Sequence, residues 1–545
     1  MRKLLLPVTL LLPVTLLLGS VALAPPAQAD PPSCERVAQL VRPHTKIASA
    51  QTVAAGAFTP PPDLAPWLTG DPATYRRLPA FCRVVAEASP SADSTIEIEV
   101  WMPLEGWNGK FRAQGNGGFA GEIDYNALAI AAGEGYATAG TDTGHSGAGI
   151  DARWALGHPE KVIDFGYRAI HEMTQTAQAA IQDFYGQNPL RSYFASCSNG
   201  GRQALMEAQR FPGDYDGILA GAPANFWTHL LAGAVWDAQA TTRDEASYIP
   251  SRKLPAIARS VNDACDSKDG VADGILNDPR RCHFDPAALL CKDGDSPTCL
   301  TAPQVAALRK LYDGARDANG RQIFPGFLPG GEEGEGGWAT WITGSAPGKG
   351  LLFAFGTGFF SDMVYDKSDW DYKTANLDQA VKAADDKTAR TLNATDPHLE
   401  PFQARGGKLI LYHGWNDPAI SALNTIDYYE TVVGAMQQRH VDEFMRLYMA
   451  PGVQHCDGGP GPGSFGQAGP TRAADPRHSL QLALEDWVES GRAPSTIIAT
   501  SDGGRSPSAA ARPKMTRPLC PYPQTAAYKG AGDPNDAASF ACVTR

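Results

Sequence analysis

Beyond residue 29 this 545-residue chain has no uninterrupted apolar stretch of the ~18 residues that a membrane-spanning helix needs. Positive charge is also in short supply, with 47 Lys and Arg against 59 Asp and Glu. That balance argues against nucleic acid and anionic membranes as partners, and leaves neutral or small organic substrates. No two cysteines stand in a CxxC pair, so zinc-ribbon and thioredoxin-type readings find no support. There are no internal repeats, and a chain with 43% hydrophobic and 19% charged residues carries no signature of disorder, collagen or coiled coil.

What is present begins at the N-terminus. Arg2 and Lys3 precede an apolar run from Leu4 to Ala24, and the segment ends Ala27-Gln28-Ala29. This is the pattern of a signal peptide cleaved after Ala29, and Pro7, Pro13, Pro25 and Pro26 speak against a spanning anchor. The expectation is an exported, extracellular protein with no membrane attachment after cleavage. Without Arg2 and Lys3, 45 basic side chains face 59 acidic ones, a net charge near −14. All ten cysteines lie beyond this segment, and an even number in an exported chain implies disulfides. Their spacing suggests the local pairs Cys265–Cys282, Cys291–Cys299 and Cys520–Cys542.

From about residue 94 to 240 the pattern is strand, turn and helix, repeated. Thr95–Met102, Lys110–Ala113, Tyr136–Thr141, Arg191–Ala195 and Gly217–Ala220 read as strands, Val162–Tyr185 and Gly201–Phe211 as helices. Alternation of this kind implies an α/β fold with a mostly parallel sheet. The rhythm breaks after residue 243 into acidic turns, a glycine-rich run at Pro329–Gly334 and many aromatics, Trp338, Trp341, Phe355 and Phe360 among them. It resumes with a strand at Lys408–Tyr412, a helix at Ala422–Met436, a strand at Phe444–Met449 and a helix at Ser479–Ser490. The expected organisation is a signal peptide (1–29), an α/β-hydrolase core in two parts (30–242 and 401–545) and a large inserted lid domain (243–400). The tail holding Cys520 and Cys542 reads as a clipped surface segment.

The sharpest local signal is Ser192-Tyr193-Phe194-Ala195-Ser196-Cys197-Ser198-Asn199-Gly200-Gly201-Arg202. An apolar strand runs into a serine among small residues and then directly into a helix, which is a nucleophile elbow. Ser196 stands where the usual motif has its first glycine. Gly144-His145-Ser146-Gly147 resembles an elbow superficially, but no apolar helix follows it. The base and acid of such a site follow in the order Asp, then His. Asp417 comes just past the strand ending in His413-Gly414-Trp415-Asn416, and His455 lies in the glycine-containing loop after the next strand. Ser198, Asp417 and His455 are therefore the candidate triad. A bond between Cys197 and Cys456 would tie the elbow to the histidine loop. The backbone N–H of Asn199, with the run Gly115-Asn116-Gly117-Gly118, is the candidate oxyanion hole. A further loop, Cys265-Asp266-Ser267-Lys268-Asp269-Gly270-Val271-Ala272-Asp273-Gly274-Ile275, supplies hard oxygen ligands suited to calcium, the alternative being a solvated acidic turn.

Taken together, the Cys-Ser-x-Gly-Gly elbow, the HGWxD segment, the His-Cys pair and the CDxxDGxxDGxI loop resemble the tannase and feruloyl esterase family. The resemblance covers nearly all of the chain after residue 29. It implies a secreted serine carboxylic-ester hydrolase cleaving aromatic esters, of hydroxycinnamate or gallate type, through an acyl-enzyme. It implies a Cys197–Cys456 disulfide and a structural calcium ion held by Asp266, Asp269 and Asp273 with the Val271 and Ile275 carbonyls. Cys34–Cys82 completes the expected set. The family also contains mono(hydroxyethyl) terephthalate hydrolases, whose substrate carries a free carboxylate. The absence of arginine between Gln322 and Ala389 argues against that activity. A non-catalytic binding protein on a hydrolase scaffold is the other alternative. Oligomeric state is left open.

Overall fold

A computed structural model describes Met1 and residues 33–467, 474–501 and 514–544. The expected signal peptide, Met1 apart, lies outside the described residues. Nine strands form one sheet: β1 (Thr45–Val53), β2 (Phe81–Ala88), β3 (Ile96–Pro103), β4 (Lys110–Ala113), β5 (Ala137–Thr141), β6 (Arg191–Cys197), β7 (Gly217–Gly221), β8 (Lys408–Gly414) and β9 (Met445–Ala450). Their spatial order is β1-β2-β3-β5-β4-β6-β7-β8-β9. Strands β4 to β9 are parallel, and β1, β2 and β3 run antiparallel along one edge. This is an α/β-hydrolase fold with a mostly parallel sheet.

Strands covered on both faces need apolar side chains throughout, and the five residues of β7, Gly-Ile-Leu-Ala-Gly, are all buried. On one face, Phe111, Phe194, Ile218, Leu409 and Leu447 pack with Ile170, Met173 and Leu205 from the helices Ala169–Tyr185 and Asn199–Arg210. Tyr193, Leu219, Ile410 and Tyr448 on the other face pack against Leu480, Leu484 and Trp487 of the helix Leu480–Ser490. The edge strand β1 carries a weak apolar signal, with sequence TKIASAQTV, and sequence patterning does not reveal it. The helix expected across Val162–Tyr185 is three pieces: Pro159–Ile163, a π-helical turn at Asp164–Arg168, and Ala169–Tyr185. Apolar periodicity does not register a change of hydrogen-bond step within a helix.

Strands β7 and β8 are direct neighbours, so residues 222–407 leave the sheet and return beside their point of departure. The excursion has its own core, with Leu231, Val235, Ile257, Leu308, Trp338, Phe359 and Phe360 in one cluster. Phe119 from the loop after β4 and Phe165 from the π-helical turn join that cluster, which seats the block on the carboxyl ends of the strands. The helix Trp227–Thr242 packs with this block rather than with the sheet. Gly356 of the helix Leu351–Gly358 approaches Ala234 so closely that a Cβ there would lie 3.0 Å from the alanine methyl. The packing boundary thus falls before Trp227, earlier than the change in composition at residue 243.

Five disulfides are formed: Cys34–Cys82, Cys197–Cys456, Cys265–Cys282, Cys291–Cys299 and Cys520–Cys542. The tail corrects its expected description as a surface segment. Its strand Thr516–Leu519 pairs with Ile497–Thr500, and the buried Arg517 donates to Asp273 Oδ2 at 2.6 Å. Cys520, Ala526 and Phe540 close an apolar cluster on Val271, so the tail clasps the acidic loop. Among the described residues, no helix is long and apolar enough to cross a membrane.

Candidate active site

Ser198 sits between β6 and the helix Asn199–Arg210 with φ +67° and ψ −126°, a region that L-residues rarely adopt. Such a conformation costs on the order of 1–3 kcal/mol and persists only where its surroundings enforce it. Here the Ser198 N–H donates to Gly221 O at 2.9 Å, and Ser198 O accepts from Ala224 N–H at 3.1 Å. A Cβ on Gly200 would lie 1.9 Å from Ser196 Oγ, and one on Gly201 would lie 2.3 Å from Gly221 O. Serine replaces the first glycine of the usual motif because Gly200 leaves it the room.

The structure brings the three candidate residues together. His455 Nε2 lies 2.8 Å from Ser198 Oγ, and His455 Nδ1 lies 2.8 Å from Asp417 Oδ2. Asp417 Oδ1 accepts the N–H groups of Ala419 at 2.8 Å and Ile420 at 3.0 Å. A second imidazole shares Oδ2: His413 Nε2 is 3.0 Å away, with its Nδ1 2.7 Å from Thr425 Oγ1. Burial alone would raise the Asp417 pKa, but the charge of His455 and the hydrogen bonds from His413 and His455 hold it well below the usual carboxylate range. An ionised acid that accepts at Nδ1 fixes the His455 tautomer with Nε2 free to receive the serine proton. His413 was not singled out by sequence reasoning; its signal is the four-residue spacing to Asp417 across a strand end. Ser146 lies exposed on a loop, away from this arrangement.

The Cys197–Cys456 bond spans 259 residues of sequence and joins the residue before Ser198 to the residue after His455. The inserted block grips the same loops. Asn416 Nδ2 donates to Gly330 O, and Gln454 Nε2 donates to Glu333 O at 2.7 Å. A Cβ on Gly331 would lie 2.4 Å from Asn416 O. The glycine-rich run therefore lets the insertion close on the residues that directly precede Asp417 and His455.

The loop carrying Gly118 is fixed from the elbow helix, whose Gln203 Oε1 accepts the Asn116 N–H at 2.9 Å. Asn116 Nδ2 donates to Thr141 O at 2.7 Å, and His145 Nε2 lies 2.8 Å from Phe119 O. Gly118 has φ +51°, and a Cβ there would lie 2.3 Å from Gly149 O and 3.1 Å from Phe355. Above the triad, Trp341 meets the His455 ring edge to face at 4.8 Å, and Phe355 packs against Trp341 and Phe119 at 6.4 and 5.3 Å. Composition showed that the insertion is aromatic; only the fold selects Trp341 and Phe355. If these rings bind the acyl group, Trp341→Ala should raise KM for an aryl ester about tenfold with a smaller change in kcat, since uniform binding is what is lost. An equal rise for an acetyl ester would show that the ring does not select aromatic acyl groups.

The acidic loop is folded on itself. Asp266 Oδ2 accepts the Gly274 N–H at 2.9 Å, Asp269 accepts from Val271 at 3.1 Å and Asn277 at 2.9 Å, and Asp273 Oδ1 accepts from Ile275 at 3.1 Å. Among the described residues, no three Asp, Glu, His or Cys side chains converge closely enough to grip a metal ion as they stand. The donor chemistry nevertheless fits a hard cation. Burial, with the neighbouring Asp273 and Asp266 charges, pushes the Asp269 carboxyl up to about 6, and of the three loop carboxylates Arg517 pairs with Asp273. Calcium would relieve that repulsion once the carboxylates turned from the backbone towards it.

The family described as "Tannase and feruloyl esterase" matches residues 82–543. The chain belongs to the tannase and feruloyl esterase family. As a member of that family it is a carboxylic ester hydrolase. It is 41% identical over 538 residues to an uncharacterised esterase of Xanthomonas campestris pv. campestris, covering 94% of this chain and 91% of that protein. A probable feruloyl esterase B of Aspergillus clavatus is 33% identical over 472 residues, covering 85% of this chain and 86% of its own length. The crystal structure of feruloyl esterase B from Aspergillus oryzae superposes with a TM-score of 0.83 at 30% identity, covering 94% of this chain and 99% of that one.

Proposed function

We propose that this family member is an extracellular serine esterase that cleaves esters of aromatic carboxylic acids, of hydroxycinnamate or gallate type, through an acyl-enzyme. The observation that carries the reading is the relay Ser198–His455–Asp417, two contacts of 2.8 Å built on a strained elbow. Ser198 Oγ attacks the ester carbonyl while His455 Nε2 takes its proton. The carbonyl oxygen becomes an oxyanion facing the N–H groups of Asn199 and Gly118. The C–O bond to the alcohol then breaks, and His455 returns the proton to the departing alkoxide. A water molecule, deprotonated by the same nitrogen, repeats the sequence on the acyl-enzyme and releases the acid. Trp341 and Phe355 give the acyl ring its apolar surface. Five disulfides favour an oxidising compartment.

The test is hydrolysis of methyl ferulate, methyl gallate and mono(hydroxyethyl) terephthalate by the purified protein beside Ser198→Ala. Turnover of a ferulate or gallate ester, lost in the variant, supports the reading. Preference for the terephthalate monoester would replace the acyl assignment, and failure of a fluorophosphonate to label Ser198 would remove the serine mechanism.

We also assign a structural calcium ion to Asp266, Asp269 and Asp273 with the carbonyls of Val271 and Ile275. Its contribution would be to stability, by neutralising three carboxylates in a loop closed by Cys265–Cys282 and clasped by the tail. Chelation by EGTA should lower the melting temperature by several degrees, reversibly on adding calcium. Asp269→Asn should remove most of that calcium dependence, and a melting curve indifferent to EGTA would reject the assignment.

A further inference from the structure

The helix behind the nucleophile carries a charge that the triad does not use. Arg202 lies one turn beyond Ser198 and is fully buried. A basic side chain so enclosed ordinarily has a carboxylate beside it. Here every partner is neutral. Nε donates to Asn199 Oδ1 at 2.8 Å, Nη1 to Gly166 O at 2.8 Å and, more weakly, to Leu392 O at 3.4 Å, and Nη2 to Phe165 O at 3.0 Å. The guanidinium also lies over the rings of Phe165 and Trp227, 4.7 and 5.1 Å from their centroids.

The backbone is arranged to supply these acceptors. Phe165 and Gly166 belong to the π-helical turn, and Leu392 ends the helix Leu377–Leu392. Carbonyls at a helix end, or in a widened turn, are free to accept. Glu207, farther along the same helix, does not offset the charge. Its carboxylate makes no ion pair with the guanidinium: both its oxygens are buried without hydrogen-bond partners, and burial, with the Asp214 charge, pushes its carboxyl well above the usual range. Burial draws Arg202 down to about 9, which still leaves it protonated at neutral pH. A net positive charge therefore stands in dry surroundings, one side chain away from Asn199 and its oxyanion-facing N–H.

We propose that Arg202 is a positioning residue whose uncompensated charge, held against Asn199, stabilises the negative charge that develops on the ester carbonyl oxygen. This rests on the serine mechanism proposed above. In a low-dielectric site a fixed cation acts at longer range than in water, and it requires no reorganisation as the oxyanion forms. The ground-state ester has no such charge, so the contribution falls on kcat rather than KM.

Arg202→Met keeps much of the volume and removes the charge; Arg202→Lys keeps the charge and loses the forked hydrogen bonds. Expected for Arg202→Met is a fall in kcat of about 30-fold with KM within about twofold, together with a parallel loss of affinity for an arylboronic acid, which binds serine as a tetrahedral anion. Arg202→Lys should recover most of both. Asn199→Asp provides a variant that folds if Arg202→Met does not. Its carboxylate would pair with Arg202 in place, preserving the backbone N–H and strengthening the hold, yet kcat should still fall at least tenfold while thermal stability is maintained. Equal loss in Arg202→Met and Arg202→Lys, a change confined to KM, or an undiminished kcat in Asn199→Asp would overturn the proposal. If Ser198→Ala retained activity, the serine mechanism itself would fall instead, which separates the two failures.

Discussion

Asp417→Asn is expected to lower kcat on an aromatic ester by about 10⁴ while the protein stays folded. The argument follows from how the four acceptor positions of this carboxylate are used. Oδ1 accepts two backbone N–H groups, from Ala419 and Ile420, and these donors cannot be reversed. An asparagine would set its carbonyl oxygen there and turn its NH₂ towards His455 and His413. His455 Nδ1 would then have to accept, and its remaining proton would move to Nε2, the atom facing Ser198 Oγ. An imidazole that presents N–H to the serine cannot take the serine proton. The shape of the site is preserved and its protonation pattern is inverted. Steady-state kinetics with a thermal melt as the folding control decide the matter; a loss below about tenfold would mean that Asp417 does not set the tautomer.

Removing the Cys197–Cys456 bridge, as the double Cys197→Ala, Cys456→Ala variant, should produce the largest loss of stability of any pair exchange in the molecule. Closing a loop of 259 residues restricts the unfolded chain by about 5 kcal/mol in the chain-entropy account. That corresponds to a fall in melting temperature of roughly 5 °C for a chain of this length. Activity below the melting transition should fall as well, by about tenfold in kcat, because Ser198 and His455 are carried on separate loops whose alignment the bridge maintains. Retention of the parent melting temperature within about 2 °C would show that the inserted block, through Asn416 and Gln454, already holds these loops unaided.

The sheet and the triad were legible in the sequence for a physical reason. Central parallel strands such as Gly217–Gly221 are apolar throughout, and the elbow must be small on both sides of Ser198, so both leave local signatures. Strand β1 is an edge with one weakly apolar face and leaves almost none. The roles of His413, Trp341 and Phe355 depend on which loops the fold brings together over the carboxyl ends of the strands, and no local pattern records that. Arg202 was visible in the elbow motif, but only burial, and the absence of an acid among its partners, distinguish it from an ordinary surface arginine. The tail read as peripheral because a single residue, Arg517, carries its link to Asp273, 244 positions earlier in the sequence.

The span of the Cys197–Cys456 bridge also sets a timetable. On a ribosome adding about 5–20 residues per second, the base follows the nucleophile by roughly ten to fifty seconds. During that interval Cys197 has emerged while its partner has not, and Cys265, Cys282, Cys291 and Cys299 appear in the meantime. Each of those four has a partner only 17 or 8 residues away, so short-range closure removes the competitors from contention early. Until Cys456 follows, the chain holds its nucleophile without its base, and the bond that joins the elbow to the histidine loop can close only once that loop is present.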